Sequence, residues 1–288
     1  MSRQRLRRAI EAATTALGQA GIDSARNDAE LLAAHVLGVE RGRLSFADVP
    51  EEFFGRYRDA VSTRARRIPL QHITGTAPFG SVRLEVGPGV FIPRPETEAL
   101  LEWALAQDLP DDAVIVDVCT GSGALGIALA ASRPGARVTG VDIDPTALDY
   151  ARRNAAVTTM SVVQGDVAED GLLPDLAGTV DLVVSNPPYV PVGVILEPEV
   201  AEHDPAHAVF GGADGMAVIV PLVARAASWL KSGGLLAVEH DDTTSEATVD
   251  AIGATGLFDQ VVPHTDLAGR PRFVTGRRRP RTPEGDQT

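Results

Sequence analysis

The chain has a single cysteine, Cys119, in 288 residues, a single lysine, Lys231, and no apolar run that approaches the ~20 residues of a membrane span. One cysteine excludes a disulfide framework and leaves too few thiolates for a cysteine-based zinc site. The six histidines are scattered with no metal-ligand spacing, so no metal is expected. The charged N-terminus lacks a hydrophobic region of signal type, which makes the cytoplasm the expected location and leaves no membrane partner to look for. Positive charge is scarce and uneven. Residues 1–75 hold twelve Arg against nine Asp and Glu, a balance of +3, so the rest of the chain carries −16 of the net −13. Nucleic-acid enzymes show a broad basic footprint, and the larger part of this chain has none, so a protein or a small molecule is the expected substrate.

An apolar fraction of 44% with 23% charged residues fits a globular chain, and the length suits one large domain with a smaller one. Leu6, Ala9, Ile10, Ala13 and Leu17 recur at helical spacing until Gly18 and Gly21 end the pattern. Ser24 can cap a second helix that stops at Gly38, and Pro50 opens a third through Phe53, Tyr57, Val61 and Ala65. Residues 1–75 are thus expected to form a helical bundle with a positive face of Arg56, Arg58, Arg64, Arg66 and Arg67. Alternation at Val82–Val86 among several glycines predicts a β-hairpin over 76–93 that links two domains. From Val114 onward, buried strands alternate with helices: 114–118, 137–141, 161–164, 180–185 and 235–239 read as strands. Such an order means βαβ units and a parallel sheet covered on both faces. A late hairpin near 260–275 closes the sheet, residues 94–277 form the second domain, and 278–288 read as a disordered tail.

The stretch with the most chemistry is Val183-Val184-Ser185-Asn186-Pro187-Pro188-Tyr189. Pro187 and Pro188 have no N–H for a sheet ladder, so the strand must end there with its polar groups displayed at the tip. Open α/β sheets put their chemistry at such tips. The Asn186 side-chain oxygen and the Pro187 carbonyl are both acceptors, and together they can take the two hydrogens of one planar NH2 group. Tyr189 offers a flat face for an amide or a base. Accepting both hydrogens turns the nitrogen lone pair toward an electrophile without a charged base, a device for alkylating a poor nitrogen nucleophile.

Asp117-Val118-Cys119-Thr120-Gly121-Ser122-Gly123 lies between the first of these strands and its helix. Small residues there admit a ligand to the backbone and to the helix N-terminus. Asp117 would repel a pyrophosphate and suits a cationic amino-acid end. Asp142, about twenty residues further on, is placed to accept from both ribose hydroxyls, while Asp144 before Pro145 reads as a helix cap. Asp166 can take an adenine amino hydrogen and Val167 can pack on the ring.

Asp-x-x-Thr-Gly-Ser-Gly, Val-Asp-x-x-Pro, Gly-Asp and Asn-Pro-Pro-Tyr, in this order on alternating strands, resemble the class I S-adenosylmethionine-dependent methyltransferases. Phe91-Ile92-Pro93-Arg94-Pro95-Glu96-Thr97-Glu98, Glu199 to Pro205 with Phe210-Gly211-Gly212-Ala213-Asp214-Gly215, and Asp266-Leu267-Ala268-Gly269-Arg270 are similar, within that class, to protein-(glutamine-N5) methyltransferases of peptide-chain release factors. The resemblance implies a Rossmann-like α/β sheet behind a small helical bundle and a hairpin. It implies S-adenosylmethionine held by Asp117, Cys119, Thr120, Gly121, Ser122, Gly123, Asp142, Ile143, Asp166, Val167 and Asn186, and yielding S-adenosylhomocysteine. It further implies a class 1 release factor as substrate, its Gly-Gly-Gln glutamine seated by Asn186, Pro187, Pro188, Tyr189, Phe91 and Arg94, with Asn186, Pro187 and Tyr189 catalytic. Residues 1–75 would dock that substrate to a monomer. Cys119 stands where many members have glycine and reads as packing, and Asp204 stands where Glu is frequent. Two other readings stay open: methylation of a ribosomal-protein glutamine or a nucleobase amine at the same corner, and a binding module without catalysis.

Overall fold

Apolar residues spaced three and four apart fold the N-terminal stretch into α1 (Ser2–Gln19), α2 (Ala25–Leu37), α3 (Phe53–Ala65) and the short α4 (Leu70–Thr74). The structure, a computed structural model, describes residues 2–266 and 268–280. These helices belong to a first compact unit that runs through Thr76 and takes back Leu196–His203. Leu17, Ala29, Leu32, Phe53 and Tyr57 sit at its core, where Tyr57 Oη donates to Ala29 O at 2.9 Å. Gly38 ends α2 at φ 67, as expected. Ser24 makes no backbone cap; its hydroxyl goes to Asp28 Oδ1 at 2.7 Å. Asp28 is buried because it receives Arg64, which the sequence placed on a solvated positive face. Arg64 is 4% exposed, 2.7 Å from Asp28 and 2.9 Å from Glu199 of the returning segment, and Arg67 lies 3.3 Å from the same Glu199. A buried guanidinium needs such partners. Of the expected face, Arg56, Arg58 and Arg66 remain exposed.

The second unit holds Ala77–Ile195 and the described residues from Asp204 on. The strands β1 (Thr76–Phe79) and β2 (Val82–Glu85) pair as expected. They are part of this unit and not a separate link, since Ala77, Phe79 and Leu84 pack into its core with Leu100 and Leu129. After α5 (Glu98–Leu105) come β3 (Val114–Val118), α6 (Ala124–Ser132), β4 (Arg137–Asp142), α7 (Pro145–Ala155), β5 (Ser161–Gln164) and β6 (Val180–Ser185). The chain continues through α8 (Pro198–His203), which clusters with the first unit, then α9 (Ala206–Val209), α10 (Ile219–Trp229), β7 (Leu230–Glu239), α11 (Ser245–Ala254), β8 (Phe258–Thr265) and β9 (Pro271–Arg278). The seven strands lie in the order β5-β4-β3-β6-β7-β9-β8, with β9 antiparallel to both neighbours. Every residue of β3 and β6 is buried, as strands covered on both faces require. One face packs on α5 and α6, the other on α10 and α11.

The tail expected from 278 starts too early. Arg278 closes β9, is 8% exposed, and donates through Nε to Ala227 O at 3.0 Å; residues 281–288 lie outside the described residues. Among the described residues no helix is long and apolar enough to cross a membrane. The chain runs from β3 to β4 and β5 on one side, then returns to β6 on the other. The carboxyl ends of β3 and β6, in register at Val118 and Ser185, therefore flank a topological switch point, where ligands bind in open α/β sheets.

Candidate active site

Beyond β3 the backbone must turn at once to start α6, and Cys119 makes the turn at φ 57. That is the left-handed region, in which a Cβ is disfavoured and which glycine adopts freely. The loop is then folded around two acids. Thr120 Oγ1 donates to Asp117 Oδ2 at 2.6 Å and Gly126 N to the same oxygen at 2.8 Å. Gly121 N donates to Asp142 Oδ2 at 2.8 Å, while Asp142 Oδ1 accepts from Asp144 N at 3.0 Å. Asp144 caps α7 by accepting from Thr146 N at 2.8 Å, as its place before Pro145 predicts, and its other oxygen lies 2.9 Å from His207 Nε2. Asp166 Oδ1 accepts from Ala168 N at 2.8 Å.

At the end of β6, Ser185 Oγ donates to Val118 O at 2.6 Å and ties the two strand tips together. Asn186 Nδ2 donates to Thr97 Oγ1 at 3.1 Å, and Tyr189 Oη donates to Glu239 Oε1 at 3.0 Å. Behind the corner, Val190 N bonds Val209 O at 3.0 Å and Gly211 N bonds Val190 O at 2.9 Å. Gly211 and Gly215 permit that approach: an added Cβ would stand 2.5 Å from Pro188 O and 2.3 Å from Tyr189 O, respectively.

These elements enclose a cavity of about 300 Å³ lined by Phe91, Asp117, Cys119, Thr120, Gly121, Ser122, Asp142, Ile143, Asp166, Val167, Asn186 and Pro188. The volume suits a small-molecule site. Four expected residues do not line it. Gly123 is the N-cap of α6, Pro187 is buried within the corner, and Tyr189 turns its hydroxyl to Glu239. Arg94 pairs with Asp204 and lies with its guanidinium 5.1 Å from the centre of the Phe91 ring. Asp204, whose role the sequence leaves open, also accepts from Ile92 N at 3.4 Å and so clasps the 91–94 segment.

Burial controls the charge of this site. Asp117 is 1% exposed and pushed up to about 7 by desolvation, against the pull of Thr120 and Gly126. The carboxyl is therefore harder to ionise than an exposed aspartate, which weakens its attraction for a cation. Asp142 is raised by the same burial, yet its two accepted bonds leave acceptor capacity unused. Desolvation raises the Cys119 thiol well above its usual range, which disfavours the thiolate. His240 is buried with Nδ1 2.7 Å from Asp241 O and its pKa lowered by desolvation, in keeping with a structural role. The sequence reading misses Thr97, His207 and Glu239. Glu239 ends β7, and its strand-tip position was the available signal.

The family model described as "PrmC N-terminal domain" matches residues 8–75, and the one described as "Methyltransferase small domain" matches 88–202. A Mycolicibacterium smegmatis protein named release factor glutamine methyltransferase is 64% identical over 275 residues, covering 95% of this chain and 98% of its own. A protein of the same name from Mycobacterium tuberculosis is 60% identical, over 95% of this chain and 91% of its own. Among solved structures, a methyltransferase from Pyrococcus furiosus aligns with a TM-score of 0.50 at 18% identity, over 68% of this chain and 88% of that one, a likeness of fold alone.

Proposed function

The chain belongs to the release factor glutamine methyltransferase family, and from that premise we propose that it moves a methyl group from S-adenosylmethionine to the side-chain amide nitrogen (N5) of the Gly-Gly-Gln glutamine in class 1 peptide-chain release factors. The observation that carries this reading is the orientation of Asn186. Its Nδ2 is committed to Thr97, which leaves Oδ1 as an acceptor at the cavity wall. With the Pro187 carbonyl it would hold both hydrogens of the substrate NH2 and direct the lone pair at the incoming methyl. Phe91 would pack on the substrate, and Arg94, clamped by Asp204, holds Phe91.

The cavity fits the methyl donor. Asp142 retains acceptor sites for two ribose hydroxyls, and Asp166 Oδ2 remains for an adenine amino group. Ile143, 56% exposed, and Val167 offer apolar surface for the ring. At Gly121 an added Cβ would meet nothing within 4 Å, so the loop leaves room for the amino-acid end. When bound, the sulfonium supplies an electrophilic methyl group, and S-adenosylhomocysteine is the product. The helical unit, with Arg56, Arg58 and Arg66 exposed, is the proposed docking platform for the factor in the cytoplasm.

The test is mass spectrometry of a purified class 1 release factor after incubation with this protein and S-adenosylmethionine. One methyl located by fragmentation on the Gly-Gly-Gln glutamine supports the proposal. No methyl there, from protein that calorimetry shows to bind the donor, refutes the assigned substrate.

A further inference from the structure

The cavity has walls of unequal firmness. On one side Gly89, Phe91 and Pro93 line it, and the residues between them, Val90 and Ile92, are buried in the core with Phe79 and Leu84. On another side it is lined by Pro205, His207 and Ala208. That stretch is anchored at its two ends. Asp204, buried, accepts from Ile92 N at 3.4 Å and pairs with Arg94. Val209, also buried, accepts from Val190 N at 3.0 Å through its carbonyl. Between these anchors no residue is buried.

Residues 205–208 otherwise bond within their own turn, Ala208 N to Pro205 O and Phe210 N to Ala206 O, each at 2.9 Å. Among the described residues, one hydrogen bond fastens them to a residue outside 204–210: His207 Nε2 lies 2.9 Å from Asp144 Oδ2. A carboxylate oxygen accepts, so the hydrogen sits on Nε2. The two partners are unequal. Asp144 Oδ1 accepts from Thr146 N at 2.8 Å, and Asp144 N donates to Asp142 Oδ1 at 3.0 Å. The Asp144 side chain is 14% exposed and that of His207 57%. Asp144 is therefore the fixed half of the contact and His207 the half that can move. A short span without buried side chains, held by one exposed hydrogen bond, opens at low cost in a folded chain. Lifting it removes three lining residues and the wall that meets Asp144, beside Asp142 and Ile143.

We propose that residues 205–208 are a strap over the donor site and that the His207–Asp144 contact is its latch, which sets how fast S-adenosylmethionine enters and S-adenosylhomocysteine leaves. This rests on the reading of the cavity as the donor site and not on the identity of the methyl acceptor. A latch that forms with the site empty and with it filled raises the barrier in both directions. Undoing it speeds entry and exit together and leaves affinity nearly unchanged. A residue that touches the donor behaves differently, because its loss speeds dissociation and weakens binding while association stays the same. Rate constants for the donor side therefore separate the two roles.

The experiment measures association and dissociation of S-adenosylhomocysteine by surface plasmon resonance on the immobilised full chain, wild type against His207→Ala, His207→Gln and Asp144→Ser. Serine keeps an N-cap for α7 but is too short to hold His207, and glutamine can still present an N–H to Asp144. His207→Ala and Asp144→Ser should each raise both rate constants about two- to fivefold, the range an exposed pair supports, with Kd within about 1.5-fold of wild type. His207→Gln should fall nearer wild type. The double variant His207→Ala/Asp144→Ser should be no faster than His207→Ala, as two halves of one contact require. Faster dissociation with unchanged association would make His207 a donor contact and overturn the latch, and so would wild-type rates in His207→Ala. If wild type binds no S-adenosylhomocysteine, the donor reading fails and the strap with it. If wild type binds it but methylates no release factor, the assigned acceptor fails, while the rate constants still decide the latch.

Discussion

Replacing Asn186 with alanine separates what the corner does from what the cavity does. The substitution removes one of the two acceptors proposed to hold the substrate NH2. A preorganised hydrogen-bonding group aimed at the reacting atoms is worth ~3–4 kcal/mol in comparable sites, or about 10²–10³ in kcat. The structural cost is much smaller. One hydrogen bond is lost, Asn186 Nδ2 to Thr97 Oγ1. That loss is about 1 kcal/mol, a fall in Tm of about 2–4 °C for a chain of this length. Donor binding should change little, since Asp142, Asp166 and the Cys119–Ser122 loop are untouched. Single-turnover transfer of a labelled methyl to the release factor, thermal unfolding, and calorimetry with S-adenosylhomocysteine measure the three quantities. Transfer within about threefold of wild type would refute the corner mechanism, and a large loss of donor affinity with unchanged transfer would reassign Asn186 to the donor.

Asp117 and Glu239 are both held at about 7 by burial, so the folded chain keeps protons that the unfolded chain releases near pH 4. Their contribution to stability is therefore fully present below about pH 4, is lost as pH rises toward 7, and stays lost above it. Urea midpoints of Asp117→Asn should fall less between pH 5 and pH 8 than those of wild type, by about 2–4 kcal/mol in stability, and an identical fall in both would contradict the burial argument. At Cys119, φ 57 suits glycine, so Cys119→Gly should keep methylation and shift stability by no more than about 1 kcal/mol, whereas the β-branched Cys119→Val should lose about 1–2 kcal/mol. A native thiol alkylated as fast as the unfolded one at pH 8 would contradict its protonated state. Gly215→Ala should lose more than about 2 kcal/mol and depress kcat, because φ is 79 and the new Cβ would press on Tyr189 O; wild-type behaviour would show that the 211–215 loop does not support the corner.

What the sequence makes legible follows from the reach of each signal. The strands at 114–118, 161–164 and 180–185 are read to the residue; the first and last are fully buried parallel strands, which appear as short β-branched runs between breakers. Asp142 and Asp166 are found because strand tips near a glycine loop are fixed by chain order alone. Arg64 is misplaced on a solvated face because its partner Glu199 lies over a hundred residues away, and no periodicity encodes that pairing. That Arg94 pairs with Asp204 instead of lining the cavity is hidden for the same reason, Asp204 being a distant clasp. Thr97 stands inside a quoted motif, but nothing local distinguishes a hydroxyl that accepts from Asn186 from one that begins a helix.

The same distance explains why Glu239 is not the base of the reaction, although a carboxyl held near neutrality invites that role. A base must reach the proton it removes, directly or through one water. Glu239 is buried away from the cavity, and its hydrogen bond to the corner is made with Tyr189 Oη. Any proton it accepted would have to pass through the Tyr189 hydroxyl, and Tyr189 does not line the cavity either. On this argument Tyr189→Phe, which removes a hydroxyl that donates to Glu239 at 3.0 Å and does not line the cavity, should leave the plateau of kcat largely intact. A lowered plateau at every pH would show that the Tyr189 hydroxyl serves the substrate directly.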